Sequence, residues 1–504
     1  MQPVPLRPAL WISLLLVLWA FYGLTGRSVW WDSEAVVLGH IQTLSLAHPL
    51  PYGLAQLSHT LTAGSLSFAD GTRIASGLLT LLTLLMTALA ARALLGPAYT
   101  VAAALALMGA FGLMMRAHAH VPELALMAAY ASLLYGIGLA RHFPLPGGVL
   151  IGLAWLALLT SRGLFDTAAG IAIALIPLLA WRWRSANYLR ACALAAGVAV
   201  GGGLITTLFF DTATLTAWWT QAAAWPQTLL APKSVLNRAL WFAWPLWPLA
   251  VWVIWHEQRR LSRLDNLLPV FAAAAFLALL ALWPSTERDN SLLPLLVPLA
   301  LLTAYALEHL RRGPAQAFYW FGVLCFGFFA VVFWVYFAAI EWGVPLKLAR
   351  HLAKLVPAYQ PGSVTPFSIA IAATATLLWL VAIPFFKRAT VRPILVWATG
   401  MALIWTLAIS LYRPWVETGW GYGPLVNAIA QRIPANACLN APVDAPLRNL
   451  LRIELGDRLK DGHTCRYQIM REGTPPAQAK LIWKGQRPRK KEAIYRLYRR
   501  DHAS

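Results

Sequence analysis

Residues 317–339 read AFYWFGVLCFGFFAVVFWVYFAA, a run without a charged residue. A helix needs about 20 apolar residues to cross the ~30 Å hydrocarbon core of a bilayer, and only helices or closed barrels satisfy their backbone polar groups there. An unbroken run without alternation reads as a helix and not as a barrel strand. Similar runs recur along the chain. The expected spans are 9–26, 72–94, 98–115, 121–140, 147–161, 164–181, 191–210, 239–256, 267–284, 292–310, 317–339, 367–386 and 393–411, thirteen in all. Only Ser161-Arg162-Gly163 separates 147–161 from 164–181, so the pair is one kinked unit or two crossings; its apolar length suffices for two. No small-x-small site follows the first span, which therefore reads as an anchor and not a cleaved signal.

Composition points the same way. Of the 504 residues, 59% are hydrophobic and 12% charged, against roughly 25% charged in an ordinary soluble domain. Mean hydropathy is +0.59. These values exclude disorder, a disulfide-built mini-protein and a plain soluble enzyme. The four cysteines show no zinc spacing. The formal charge is +21, but the basic residues gather at span ends and in the tail. That placement indicates membrane topology and anionic lipid as a partner. No arginine stripe with interleaved aromatics is present, so nucleic acid is not an expected partner.

One set of loops carries Arg92, Arg141, Arg182, Arg184, Arg190, Arg259, Arg260, Arg263, Arg311, Arg312, Lys387, Arg388 and Arg392. These loops alternate along the spans and are expected to be cytoplasmic. The N-terminus, with Arg7, is then inside, and an odd number of spans puts the C-terminus outside. Most carboxylates fall on the outer side, among them Asp32, Glu34, Asp70, Glu123, Asp166, Asp211, Glu287, Asp289 and Glu341. Carboxylates contribute little to orientation, so a polar, catalytic outer face is the expected cause.

The chain divides into a polytopic helical membrane domain, 1–411, and a small soluble α/β domain, 412–504, on the outer face. Three outer loops are too long for turns: 27–71, 211–238 and 340–366. Their Trp, Leu and Ala spacing predicts short helices lying in the interface. In the tail, strands are expected at 437–439, 466–470 and 493–497 and a helix at 446–455. Cys438 and Cys465 lie at strand edges there; in an oxidising compartment they can pair, adding roughly 3 kcal/mol, the alternative being two buried thiols. Cys192 and Cys325 read as packing residues.

Polar residues that can do chemistry recur on the outer side, in order. Trp30-Trp31-Asp32-Ser33-Glu34-Ala35 puts two carboxylates just beyond the first span. His48-Pro49-Leu50-Pro51-Tyr52 follows, then Glu123 in His118-Ala119-His120-Val121-Pro122-Glu123. Thr160-Ser161-Arg162-Gly163 closes an outer hairpin, Lys233 and Arg238 precede the eighth span, and Glu287-Arg288-Asp289-Asn290 precedes the tenth.

This order resembles the GT-C class of integral-membrane glycosyltransferases. The nearest branch holds the bacterial lipid A aminoarabinose transferases and the protein O-mannosyltransferase-like enzymes. Members carry an acidic pair in the first outer loop, a Lys-Pro-Pro-Leu-Tyr-Tyr-like stretch, an acid before the fourth span, a Thr-Lys-Gly turn, a basic outer loop and an Arg-Tyr-x-Leu-Pro element. Here the acidic pair is spaced as Asp32-Ser33-Glu34, His48 stands for the usual Lys, Arg162 replaces the turn Lys, and Arg288-Asp289-Asn290 replaces Arg-Tyr. The resemblance implies a polyprenyl-phosphate-linked sugar donor, inversion at the anomeric carbon and a periplasmic active site in the bacterial inner membrane. The departures weaken any carry-over of aminoarabinose specificity.

The residues fit such chemistry. A phosphate at headgroup level needs cations, Arg as a fork or Lys as a point charge; Arg288, Arg238, Lys233 and His48 are candidates, with Arg162 and Tyr52 as further substrate contacts. A carboxylate takes or orients the acceptor proton; Asp32 and Glu34 are the alternatives. Glu123 binds sugar or acceptor, supports the catalytic acid, or only caps a helix. The acceptor is a lipid, a glycan or a protein hydroxyl. No cofactor is expected. His118 and His120, two apart, point away from each other on a helix, so no metal site is expected. The run Arg487-Pro488-Arg489-Lys490-Lys491 is a solvated or membrane-facing patch. The rival class is a transporter or flippase of lipid-linked sugars, but no internal repeat is visible and the charges lie at one face.

Overall fold

The computed structural model describes residues 6–224, 228–257, 265–283, 289–385, 391–460, 465–471, 479–487 and 493–500. Helices dominate. The first part holds α1 (Leu6–Phe21), α2 (Asp32–Gln42), α3 (Pro49–Thr62), α4 (Phe68–Leu94), α5 (Thr100–Met108), α6 (Phe111–Arg116), α7 (Glu123–Ala140), α8 (Pro144–Ser161), α9 (Leu164–Leu175) and α10 (Ala186–Phe209). Then come α11 (Thr212–Ala222), α12 (Pro232–Phe242), α13 (Leu246–Glu257), α14 (Leu268–Leu280), α15 (Leu296–His309), α16 (Arg312–Glu341), α17 (Leu346–Leu355), α18 (Pro366–Phe385), α19 (Arg392–Trp420), α20 (Gly423–Ala430) and α21 (Ala445–Leu455).

Each of the thirteen expected segments contains helix. Among the described residues, six helices are long and apolar enough to cross a membrane by themselves: α4, α7, α8, α10, α16 and α19. A seventh candidate is the pair α12 and α13, bent by 106°. The other expected spans hold apolar helices, α1, α5, α9, α14, α15 and α18, that fall short of the same measure among the described residues. The segment expected at 98–115 is broken at Gly109-Ala110, where Trp397 Nε1 donates to the Gly109 carbonyl (2.8 Å) and Phe111 N to the Trp244 carbonyl (3.0 Å). The break between α8 and α9 is fixed by Gly163, at φ +109°; a Cβ there would meet the Ala222 carbonyl at 2.3 Å. These are two helices, not one kinked unit.

The long loops fold into helices: α2 and α3 in the first, α11 and α12 in the second, α17 in the third. Ser67 starts α4 by accepting from Asp70 N (3.1 Å), and Asp211 starts α11 by accepting from Thr214 N (2.7 Å), as helix N-caps do. Tyr22, just past α1, bonds Ser410 on α19 (2.6 Å), and Gly26 N donates to Asp70 on α4 (3.1 Å). The end of α1, the start of α4 and the last turns of α19 therefore meet at one end of the bundle.

The C-terminal domain forms at that end. α19 runs past 411 to Trp420. β1 (Leu439–Asn440) lies parallel to β2 (Tyr467–Met470); β4 (Ile494–Arg500) lies antiparallel to β2 and to β3 (Ala479–Gln486), in the order β1-β2-β4-β3. Three strands and α21 match the sequence reading; β3 was not expected. Cys438 and Cys465 form a disulfide beside β1 and β2. The apolar core of this domain (Leu447, Leu451, Ile469 and Leu497 among others) also contains Val29, Ala35 and Leu38. The first-loop helix α2 is thus packed into the C-terminal domain, a contact between residues some 400 positions apart.

Candidate active cleft

Glu34, in the first turn of α2, is 2% exposed. Its Oε1 accepts from Arg27 Nη2 (3.1 Å), Arg73 Nε (3.0 Å) and His120 Nδ1 (3.1 Å); its Oε2 accepts from Arg27 Nη1 (3.3 Å) and Trp30 N (3.4 Å). Burial alone would raise this carboxyl, but Arg27, then Arg73 and the His120 bond hold it well below the usual carboxylate range. Arg73 also bonds Asp70 Oδ1 (2.9 Å) and the carbonyls of Arg27 (2.9 Å) and Ser28 (3.1 Å). The cluster is closed, as a buried ion network must be to offset desolvation. Burial pushes the His120 imidazole down to about 4, so the ring is neutral at pH 7. It donates through Nδ1 to Glu34, which leaves Nε2 to accept from Thr72 Oγ1 (2.7 Å). Glu417 on α19 fixes the preceding backbone: it accepts from Ser28 N (2.7 Å), the Ser28 hydroxyl and Trp30 Nε1 (2.9 Å).

Asp32 differs. It opens α2, its side chain is 41% exposed, and Oδ1 accepts from Arg487 Nη2 (2.7 Å) and the Tyr422 hydroxyl (3.0 Å). The two first-loop acids therefore have separate surroundings: Glu34 is inside the membrane-domain network, Asp32 at its accessible edge beside the C-terminal domain.

A cleft of about 490 Å³, including its open mouth, lies against this turn. Trp31, Ser33, Glu34 and Val37 form one wall; Met115, Arg116, Ala119, His120 and Val121 form the other, with Asn290 at the rim. A narrower apolar slot adjoins it through Val37, His120 and Val121, with Tyr52 on its far side. Asn290 ties the rim to the interior: its Oδ1 accepts from Arg116 Nε (3.1 Å), and its Nδ2 lies 3.5 Å from Glu123 Oε2. Arg116 and Arg238 both face Asp289, at 3.5 Å and 3.1 Å, and the Arg116 guanidinium sits over Phe242 at 4.8 Å. The Arg238 contact is an ion pair without hydrogen-bond alignment, and its buried Nη2 has no bonding partner among the described residues.

Beside the slot lies a second polar group. His48 Nδ1 donates to the Ser161 carbonyl (2.5 Å), and its ring packs edge-on against Tyr52. Arg162 faces Asp166 at 3.7 Å and donates to the Trp283 carbonyl (3.3 Å); the Tyr130 hydroxyl donates to Asp166 (3.0 Å). Burial and nearby Glu123 raise the Tyr52 phenol, so it stays protonated.

Glu34, Arg238, Glu123, His48, Tyr52 and Arg162 thus gather at one end of the bundle, with Asp32 at the adjoining edge. Lys233 is exposed on α12. Arg288, Glu287, Arg489, Lys490 and Lys491 lie outside the described residues. Both nitrogens of His118 face backbone carbonyls, of Met114 (2.8 Å) and Trp19 (2.6 Å), to one of which the neutral ring donates, and those of His120 are also engaged. No grouping of three or more metal-ligating side chains occurs among the described residues. The sequence reading gave no role to Arg27, Arg73, Arg116, Asn290 or Glu417. Arg116, Asn290 and Glu417 meet partners remote in sequence. Arg73 and Arg27 read locally as charges flanking a span.

A helical bundle with a polar cleft and a small sheet domain gathered at one end is a fold this chain shares with solved structures. The solved structure of ArnT from Cupriavidus metallidurans in the apo state superposes with a TM-score of 0.66, at 14% identity, over 98% of each chain. The same protein bound to undecaprenyl phosphate gives 0.65 at 15% identity, again over 98% of each chain. At these identities the likeness is one of fold. No family model and no curated protein matches the sequence.

Proposed function

We propose that this protein is a glycosyltransferase of the bacterial inner membrane. It moves a sugar from a polyprenyl-phosphate donor to a lipid, glycan or protein acceptor at the periplasmic face. The observation that carries this reading is a cleft lined by Arg116, with Arg238 on the same Asp289, at one end of a bundle that shares 98% of its length with ArnT. ArnT itself has been solved with undecaprenyl phosphate. In the proposed topology all thirteen segments cross, the N-terminus is cytoplasmic, and the cleft and C-terminal domain are periplasmic.

In this reading Arg116 and Arg238 hold the donor phosphate. Their guanidiniums already converge on one anion, Asp289, which an incoming phosphate would displace. Lys233, exposed on the same helix as Arg238, is a further candidate phosphate ligand, as is Arg288 by its sequence position next to Asp289. Asp32 is the general base and Glu34 the anchor beneath it, because protonating Glu34 would leave two buried guanidiniums short of their counter-ion. Asp32 takes the acceptor hydroxyl proton as the acceptor oxygen attacks the anomeric carbon. The sugar–phosphate C–O bond breaks, and its electron pair leaves with the polyprenyl phosphate, whose charge the arginines stabilise. Attack opposite the leaving group inverts the anomeric centre. Glu123, Arg162, His48 and Tyr52 line the side on which sugar or acceptor would rest. Anionic lipid meets α17, whose Lys347, Arg350, His351 and Lys354 form one exposed stripe beside exposed Trp342 and Leu346.

The test compares mass spectra of envelope glycolipids and glycoproteins from cells with and without the protein. A sugar adduct that depends on the protein supports transfer. Unchanged adducts, with protein-dependent movement of lipid-linked sugar across sealed vesicles, would make it a flippase.

A further inference from the structure

Helix α2 serves two bodies. Val37 and Ile41 pack with Tyr52 and Ala75 of the membrane domain, while Ala35 and Leu38 belong to the core of the C-terminal domain. Gly39 lies against Asn449 of α21, where a Cβ would come within 2.2 Å of the amide, and Asn449 Nδ2 donates to the Ala35 carbonyl (3.4 Å). The fit leaves no room for α2 to slide.

Arg487, at the end of β3, completes the contact. It is 4% exposed, a costly place for a guanidinium unless it is paired. Its Nη2 donates to Asp32 Oδ1 (2.7 Å), its Nη1 to the Trp420 carbonyl (3.4 Å), and its Cζ lies 3.8 Å from the Tyr422 ring centre. The Tyr422 hydroxyl donates to the same Oδ1 (3.0 Å). Two donors from the C-terminal domain and its connecting segment therefore act on one oxygen of Asp32. A half-exposed Asp at the tip of a helix otherwise samples several rotamers.

We propose that Arg487 and Tyr422 are positioning residues for sugar transfer: the C-terminal domain orients Asp32, which stands between the cleft-lining Trp31 and Ser33. This rests on Asp32 being the base. The domain is then part of the active site's architecture and not an appended module. A plain anchoring ion pair would hold the domain down without tuning the base, and the two roles separate in the pH profile. Removing a cation next to a carboxylate raises its pKa, so the acid limb of kcat/KM must move to higher pH.

The experiment uses the full-length protein in proteoliposomes, with a radiolabelled total bacterial lipid extract as donor pool. Arg487→Gln is expected to lower kcat roughly 10- to 100-fold, the range for one hydrogen bond to a charged group, with donor KM little changed. Its acid limb should shift upward, and hydrogen exchange should rise at residues 29–36. Arg487→Lys should recover part of the rate. Tyr422→Phe, which keeps the ring under the guanidinium, should lose less and carries the test if Arg487→Gln fails to fold. If Asp32→Asn is inactive while Arg487→Gln and Tyr422→Phe keep the normal rate and acid limb, the positioning role is wrong and the catalytic reading stands. If Asp32→Asn itself transfers normally, the base assignment falls; the positioning role, which acts only through that base, falls with it.

Discussion

Glu34→Gln should damage the fold before it damages the chemistry. The swap keeps shape but removes the charge shared by Arg27 and Arg73, both nearly inaccessible. It also replaces one of two acceptor oxygens with a donor. If the amide nitrogen takes the Oε2 position, it faces Arg27 Nη1 and Trp30 N, which both donate; if it takes the Oε1 position, it faces three donors. Asp70 still pairs with Arg73, so one counter-ion survives. Breaking one partner of a buried ion pair costs about 3–5 kcal/mol. Asp32→Asn leaves an exposed group that can still accept from Arg487 and Tyr422, at a cost of about 1–2 kcal/mol. Thermal unfolding of purified protein in one detergent, followed by tryptophan fluorescence, should place Glu34→Gln well below both wild type and Asp32→Asn. A Glu34→Gln protein as stable as wild type but inactive in transfer would refute the anchor role and make Glu34 the catalytic acid.

Three further outcomes follow from the same geometry. Arg116→Ala and Arg238→Ala should each raise donor KM roughly 10- to 100-fold with little change in thermal midpoint, because rim ion pairs contribute little to stability; steady-state kinetics checks this. Acid should destabilise the cleft end of the bundle. The His120 pKa is about 4 in the fold, below its ordinary value, so the unfolded chain binds the extra proton and stability falls as pH drops from about 6.5 toward 4. Glu34, with a depressed pKa, contributes stability above about 4.5 and loses it as pH falls through its lower folded value. Thermal midpoints from pH 8 to 4 should be level at first and then decline, with His120→Gln flattening the upper part. Reducing the Cys438–Cys465 bond should destabilise the C-terminal domain by roughly 3 kcal/mol, seen as faster proteolysis within 430–500.

The helices were legible because a membrane-spanning helix needs a long apolar run whether its side chains face protein or lipid, and their common polar end was legible because most Lys and Arg of residues 1–411 gather in the other set of loops. The tail strands β2 and β4 showed through β-branched and aromatic residues such as Tyr467, Ile469, Ile494 and Tyr495. β3 did not: AKLIWKGQ mixes lysines and glycine into an exposed edge strand, where no continuous apolar face is needed. The acidic pair was legible as a candidate site, but not the different surroundings of its two members. Glu34 and Asp32 are two positions apart on one helix turn, yet one faces Arg73 and the other Arg487, and only the folded chain reveals those partners. The Arg116–Asn290–Glu123 link joins residues more than 160 positions apart, and no local pattern encodes it.

The central claim is tested most directly by transfer in a purified system. Wild-type protein in proteoliposomes, given a radiolabelled polyprenyl-phosphate sugar pool and an envelope lipid extract, should move label from the donor to a new product. Asp32→Asn, folded and inserted, should be slower by about 10²–10⁴-fold, the usual contribution of a general base. Near-normal transfer by Asp32→Asn would contradict the site, and no transfer by wild type across the full range of donor and acceptor extracts would contradict the function.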